Sequence, residues 1–170
     1  LLYTFSQSCQ VFLDNPLKIL YSILIMNLED LKQEIKKDSL IDSTELAKES
    51  LRTPSVHGKY LSIHADLKTE LQKLRNALSV MELRKWMVYN GKASQEELEK
   101  WGEEPFELKI MKTDIDRFMD ADPTLLKIKN DINTAEIKVK MVEDFIKVLS
   151  NRNFAIKSAI DWNKLVNGIS

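Results

Sequence analysis

Glycine and proline are scarce in this chain, four of each in 170 residues, and cysteine occurs once, at Cys9. A single thiol excludes an internal disulfide framework and a cysteine-rich metal site, and it is compatible with a reducing compartment. The four glycines, Gly58, Gly91, Gly102 and Gly168, lie too far apart to form a phosphate-cradling loop. Neither sign of charge is in excess: 25 Lys and Arg face 26 Asp and Glu, for a net charge of −1. The chain as a whole therefore exerts no pull on nucleic acid or membrane, and any polyanion site must be a local patch. Long apolar runs are also missing. Residues 1–25 come nearest, but Asp14, Asn15, Pro16 and Lys18 interrupt them well short of the about 20 residues a membrane span needs.

What is present is a helix former's composition, with 30% charged residues and much Leu, Ile, Lys and Glu, all of which lose little rotamer freedom in a helix. The length suits one domain. Residues 1–25 do not match the rest, and they lack the basic start and small-residue cleavage site of a signal peptide. We read them as an upstream extension or disordered leader and Met26 as the start, leaving 26–170 as a single helical domain. A poorly packed extra helix or a weak membrane anchor are the alternatives.

From Asn27 the pattern is helical, with Leu28, Leu31 and Ile35 on one face and an end near Asp38-Ser39. Asp42 with Glu45 reads as a capping box opening a second helix that ends before Pro54. A third helix carries Tyr60, His64, Leu67, Leu71, Leu74, Leu78, Met81, Lys85 and Val88 in steps of four and three, the spacing that keeps one seam against a partner helix. Asn90-Gly91 should stop it. In the connector 92–122, Ser94 with Glu97 forms a capping box closed by Gly102. Thr113 with Asp116 could open another short turn, and Phe106, Leu108 and Ile110 alternate as in an extended stretch.

Asp122 with Pro123 is a good start for the last helix. Its seam runs Leu125, Ile128, Ile132, Ala135, Val139, Val142, Ile146, Leu149, Asn153, Ile156 and Ile160, with a second apolar row of Ile137, Met141, Phe145 and Val148. Two rows exceed what one partner helix covers. The tail 154–170 stays apolar on several sides, through Phe154, Ile156, Ile160, Trp162 and Leu165, and reads as an oligomerisation segment. The expected fold is all-α: a long antiparallel, coiled-coil-like hairpin with short flanking helices, assembling into a homo-oligomer.

Chemistry-bearing constellations are weak. His57 and His64 share a helix face but stand about 10.5 Å apart along it, too far for one metal ion. Asp114, Asp116, Asp120 and Asp122 lack the central Gly and terminal Glu of a calcium loop. No nucleophile has a base in a recognisable motif. We expect no enzyme, no cofactor and no metal. One local patch stands out: Arg84, Lys85, Trp86 and Tyr89 at the helix end, with Arg75 and Lys92 nearby. Cations beside rings serve single-stranded nucleic acid, charge for the backbone and ring faces for the bases. Composition alone favours an ordinary helix end, where cations meet the dipole and Trp86 is core.

The blocks LEDLKQEIKKDSLIDSTEL (28–46) and NRNFAIKSAIDWNKLVNG (151–168), framing that basic-aromatic helix, resemble the UvsY family of phage recombination mediators. The resemblance spans Met26 to Ser170. It implies a single-stranded-DNA-binding protein that forms a ring-like homo-oligomer, a hexamer or heptamer, in the cytoplasm of the infected bacterial host. Its implied task is to load a phage RecA-type recombinase (UvsX-like) onto strands covered by the phage single-stranded-DNA-binding protein. The family's DNA-binding stretch falls here at Leu83-Arg84-Lys85, shifted by about a position. It turns Arg84 and Lys85 into expected DNA contacts, with Trp86 divided between stacking and core. A structural coiled coil or phage assembly scaffold without nucleic-acid binding is the alternative.

Overall fold

The computed structural model describes residues 26–108 and 111–168; the expectations for residues 1–25, and Ile110 of the alternating stretch, lie outside them. Helices are the regular structure of the described residues: α1 (Leu28–Ser39), α2 (Leu46–Tyr89), α3 (Gln95–Trp101), a 3₁₀ turn (Lys112–Asp114), α4 (Ile115–Ala121) and α5 (Pro123–Val166). None of them is long and apolar enough to cross a membrane. The chain divides into two compact units, one built from 70–134 and one from 26–69 with 135–168. The 44-residue helices α2 and α5 each supply both units.

The first helix starts as its sequence dictates. The Asn27 side chain accepts from the Asp30 amide at 2.7 Å, Glu29 and Asp30 occupy the first turn, and Lys36 and Lys37 the last, each sign at the end of the helix dipole that favours it.

The separate second helix ending before Pro54 is not formed. Asp42 instead holds a local turn, its Oδ1 accepting from the amide and hydroxyl of Thr44, and α2 runs from Leu46 straight through Pro54. A proline inside a helix forfeits one backbone bond and crowds the preceding turn. Here Pro54 sits on the exposed face, where the orphaned Ser50 carbonyl is within reach of water. Thr53, Val56 and Tyr60 are buried on the other side, and that packing carries the helix across the proline.

In the unit of 26–69 and 135–168, α2 and α5 run antiparallel. Tyr60 meets Phe145 edge to face at 4.7 Å, and His64 Nε2 lies 3.0 Å from Glu143 Oε1. Leu31, Leu67, Ala135, Val139, Val142, Leu149 and Ile156 complete this core. The second apolar row divides: Phe145 is buried, whereas Ile137 and Val148 are exposed. An ion network seats α1. Asp38 accepts from Arg52 and Lys59, each at 2.7 Å, and from the Tyr60 hydroxyl at 3.3 Å, while Lys59 also bonds Glu34. Burial alone would push the Asp38 carboxyl up, but hydrogen bonds and charge from Lys59, with Tyr60 and Arg52, bring it below its ordinary value. Buried Arg152 reaches from α5 to the Asp38 carbonyl (2.7 Å), the Leu40 carbonyl (2.8 Å) and Glu49 (2.5 Å).

In the unit of 70–134, Met81, Leu125 and Ile128 form the core with Leu78, Met119 and Ile132 packed on it. The connector holds its predicted Ser94/Glu97 capping box and ends α3 at Gly102 with φ +68°. Thr113 does not cap the next helix. A 3₁₀ turn precedes α4, whose N-cap Asp114 makes no side-chain capping bond. Residues 103–108 adopt no strand.

Candidate nucleic-acid interface

The end of α2 gathers the basic and aromatic side chains picked out by sequence, all within the 70–134 unit. The helix closes in a tight reversal. Gly91 takes φ +63°, its amide bonds the Val88 carbonyl, and the Lys92 amide bonds Met87 at 2.8 Å. Only a residue without Cβ adopts that left-handed conformation cheaply. The reversal brings Lys92 back onto the helix it follows, with its ammonium 4.4 Å from the centre of the Trp86 ring, an attractive cation–ring contact. Trp86 is half-buried and Lys92 is exposed, so charge and ring face solvent together. Arg75 is exposed three turns earlier. Eleven residues return a helix to within about 20° of the same direction, which puts Arg75 and Trp86 on one face.

Arg84 and Lys85 are placed differently from the expectation of free phosphate contacts. Each is 8% exposed. Arg84 lies over the ring of Trp101, 5.3 Å from its centre. The Lys85 ammonium is held by Glu103, at 2.7 and 2.9 Å to its two oxygens, and by Asp122 at 3.2 Å. Burial would lower the Lys85 pKa, but hydrogen bonds and charge from Glu103 and Asp122 raise it above the ordinary lysine value. The lysine stays charged, and that charge is already neutralised.

Tyr89 points inward. Its hydroxyl donates to Asp122 at 2.8 Å, and its ring packs on Phe106 and Phe118 at 5.0 and 6.0 Å. Burial first, then the Asp122 bond and charge, raise its pKa. Asp122 serves four partners, because beside Lys85 and Tyr89 its Oδ1 accepts from the amides of Thr124 (2.8 Å) and Leu125 (3.0 Å) to cap α5. Burial pushes this carboxyl up, and the Tyr89, Leu125 and Lys85 interactions outweigh it, leaving it below the ordinary range. Sequence reading found Asp122 only as a cap and missed Trp101 and Glu103 entirely. Nothing in their local spacing signals a partner 17 or 18 residues away.

Two other acids of the run 114–122 meet cations, Asp114 with Arg117 at 3.7 Å and Asp120 with Lys129 at 3.6 Å. Among the described residues no cluster has the makings of a metal site.

Of the assembly residues expected in the tail, Phe154 (73%), Trp162 (63%) and Leu165 (72%) are exposed. Ile160 is half-buried. Ile156 is 2% exposed and belongs to the core of its own chain, which corrects its assignment to an interface between copies. The seam on α5 persists to Ile156, and the side chains flanking it, Phe154, Trp162 and Leu165, are exposed.

An all-α fold on two long paired helices, with cations set over half-exposed rings at a helix end, is that of a helical binding protein. The sequence model of the family "Recombination, repair and ssDNA binding protein UvsY" matches residues 34–169. The recombination protein uvsY of Enterobacteria phage T4 is 28% identical over 143 residues, 84% of this chain and 99% of the phage protein. Two crystal structures of the bacteriophage T4 recombination mediator protein UvsY superimpose with TM-scores of 0.71 and 0.68, at 26% and 24% identity. They cover 84% and 82% of this chain and 98% of each solved chain. The chain belongs to the UvsY family of recombination, repair and single-stranded-DNA-binding proteins.

Proposed function

We propose that this chain is a recombination mediator whose strand-binding surface is the solvent face at the end of α2, with Trp86 and Lys92 at its centre and Arg75 further along. The observation that carries this reading is the half-exposed indole with an exposed ammonium over its face, the pairing of ring and charge that single-strand binding uses. Arg84 and Tyr89 support the surface from beneath, Arg84 through Trp101 and Tyr89 through Asp122.

Few cations per subunit implies that affinity comes from repetition along one strand. The exposed Phe154, Trp162 and Leu165 supply an apolar surface for the self-association that such repetition needs, and a hexameric or heptameric ring fits it. In the cytoplasm of an infected bacterium, the oligomer would load a UvsX-like recombinase onto strands held by the phage single-stranded-DNA-binding protein.

Fluorescence anisotropy with a labelled oligonucleotide across a salt series tests the assignment. Each lost phosphate contact flattens the slope of log K against log salt by about 0.7 for a single strand. The Arg75→Ala/Lys92→Ala double variant should therefore bind more weakly, with a slope about 1.4 shallower and unchanged helicity. Wild-type affinity and slope in that variant would remove these residues from the interface.

A further inference from the structure

The two carboxylates on Lys85 differ in what else holds them. Asp122 is 3% exposed and fixed as the cap of α5 and the partner of Tyr89. Glu103 belongs to the irregular stretch 103–108, which leaves α3 through the left-handed Gly102. Its amide bonds the Leu98 carbonyl at 3.0 Å, and its side chain retains 28% exposure. The stretch carries two further acids, Glu104 and Glu107, and is pinned by Phe106, which packs on Tyr89 at 5.0 Å and on Phe118 at 5.6 Å. Both Glu103 oxygens lie within 3 Å of the Lys85 ammonium. A lysine ammonium also meets the anionic oxygens of a phosphate diester, as a point charge.

We propose that Glu103 occupies on Lys85 the place of a backbone phosphate and thereby sets the affinity for single-stranded DNA, holding this lysine out of the contact set. The inference rests on the reading of the α2 end as the strand-binding surface. It accounts for a buried, charged lysine in the basic stretch whose charge is spent inside the protein. Removing the Glu103 charge leaves Asp122 as the anion on Lys85 and weakens the hold of the side chain at 103, so that a phosphate oxygen can displace it from the ammonium.

Glu103→Gln preserves shape and leaves an oxygen for the ammonium while deleting the charge. It should tighten single-strand binding roughly three- to tenfold and steepen the salt slope by about 0.7, one additional phosphate contact. Adding Lys85→Gln to that variant should abolish the gain. Lys85→Gln alone, checked for native helicity by circular dichroism, should leave the wild-type slope in place. Glu104→Gln makes the same change in net charge on an exposed neighbour and should alter affinity less than twofold. Wild-type affinity and slope in Glu103→Gln, or an equal gain in Glu104→Gln, would overturn the proposal while the strand-binding surface stands. Absence of binding by both the wild type and Glu103→Gln would overturn the surface and this proposal together.

Discussion

Replacing Arg152 by Met tests a concentrated set of polar contacts in the unit of 26–69 and 135–168. Arg152 is 5% exposed, and its guanidinium satisfies the Asp38 carbonyl, the Leu40 carbonyl and the Glu49 carboxylate at 2.5–2.8 Å. Methionine keeps the length and apolar stem but strands all three acceptors. Leu40 is exposed, so its carbonyl finds water at little cost. The Asp38 carbonyl and the Glu49 carboxylate are buried, and the remaining cation near Glu49, Arg52, stands at 3.8 Å. Breaking a buried ion pair by removing one partner costs about 3–5 kcal/mol, and an orphaned buried carbonyl by itself costs about 1–3 kcal/mol. Because the contacts tie the end of α1 to α5, the loss should appear first as faster amide exchange in Leu28–Ser39. Amides of Met81, Leu125 and Ile128 in the other unit should keep their protection. Adding Glu49→Gln removes the stranded charge and should restore about 1–3 kcal/mol. Urea unfolding followed by circular dichroism, with exchange read by mass spectrometry, measures both effects. A cost below about 1 kcal/mol, or unchanged exchange in α1, would refute the view that Arg152 seats this helix.

Three further outcomes are expected. Asp38 and Asp122 titrate below the ordinary value of 3.8 when folded, so their contribution is complete above that value and disappears as pH falls through the lower folded one. Acid unfolding should thus steepen below about pH 4, and Asp122→Asn, which keeps a capping side chain, should flatten the curve; an unchanged curve would discount this carboxylate. Trp86→Ala should weaken strand binding by about 1–3 kcal/mol and Trp86→Phe by less, with indole fluorescence reporting contact in the wild type; equal affinity in all three would assign Trp86 to the core. Phe154→Ser, Trp162→Ser and Leu165→Ser together should give smaller species of native helicity in light scattering, and retained mass would move the assembly surface to exposed Ile137 and Val148.

Much of the fold was legible because its signals are local. The seam from Tyr60 to Val88, the Gly91 stop, the Ser94/Glu97 box and the Asp122-Pro123 start each depend on residues within two turns of one another, and all recur in the structure. Pro54 misled for the complementary reason. A local rule ends the helix there, but burial of Thr53, Val56 and Tyr60 against residues far along the chain outweighs it. Ile156 shows the same limit, since periodicity marks it as apolar without saying whose apolar surface covers it.

The basic patch was legible in composition and opaque in orientation. Arg84, Lys85 and Trp86 are consecutive, so successive side chains point about 100° apart around the helix and cannot all face one strand. Which direction meets solvent depends on α3, the 103–108 stretch and the start of α5, none of which is encoded near residue 85. A near-neutral chain sharpens the point. With acids as numerous as bases, each cation's usefulness to a polyanion depends on whether an acid of the same chain has reached it first. Lys92 extends over a ring and keeps its charge toward solvent, whereas Lys85 is claimed by Glu103 and Asp122. Two lysines seven residues apart in one basic stretch thus have opposite electrostatic fates, and the difference lies in tertiary contacts alone.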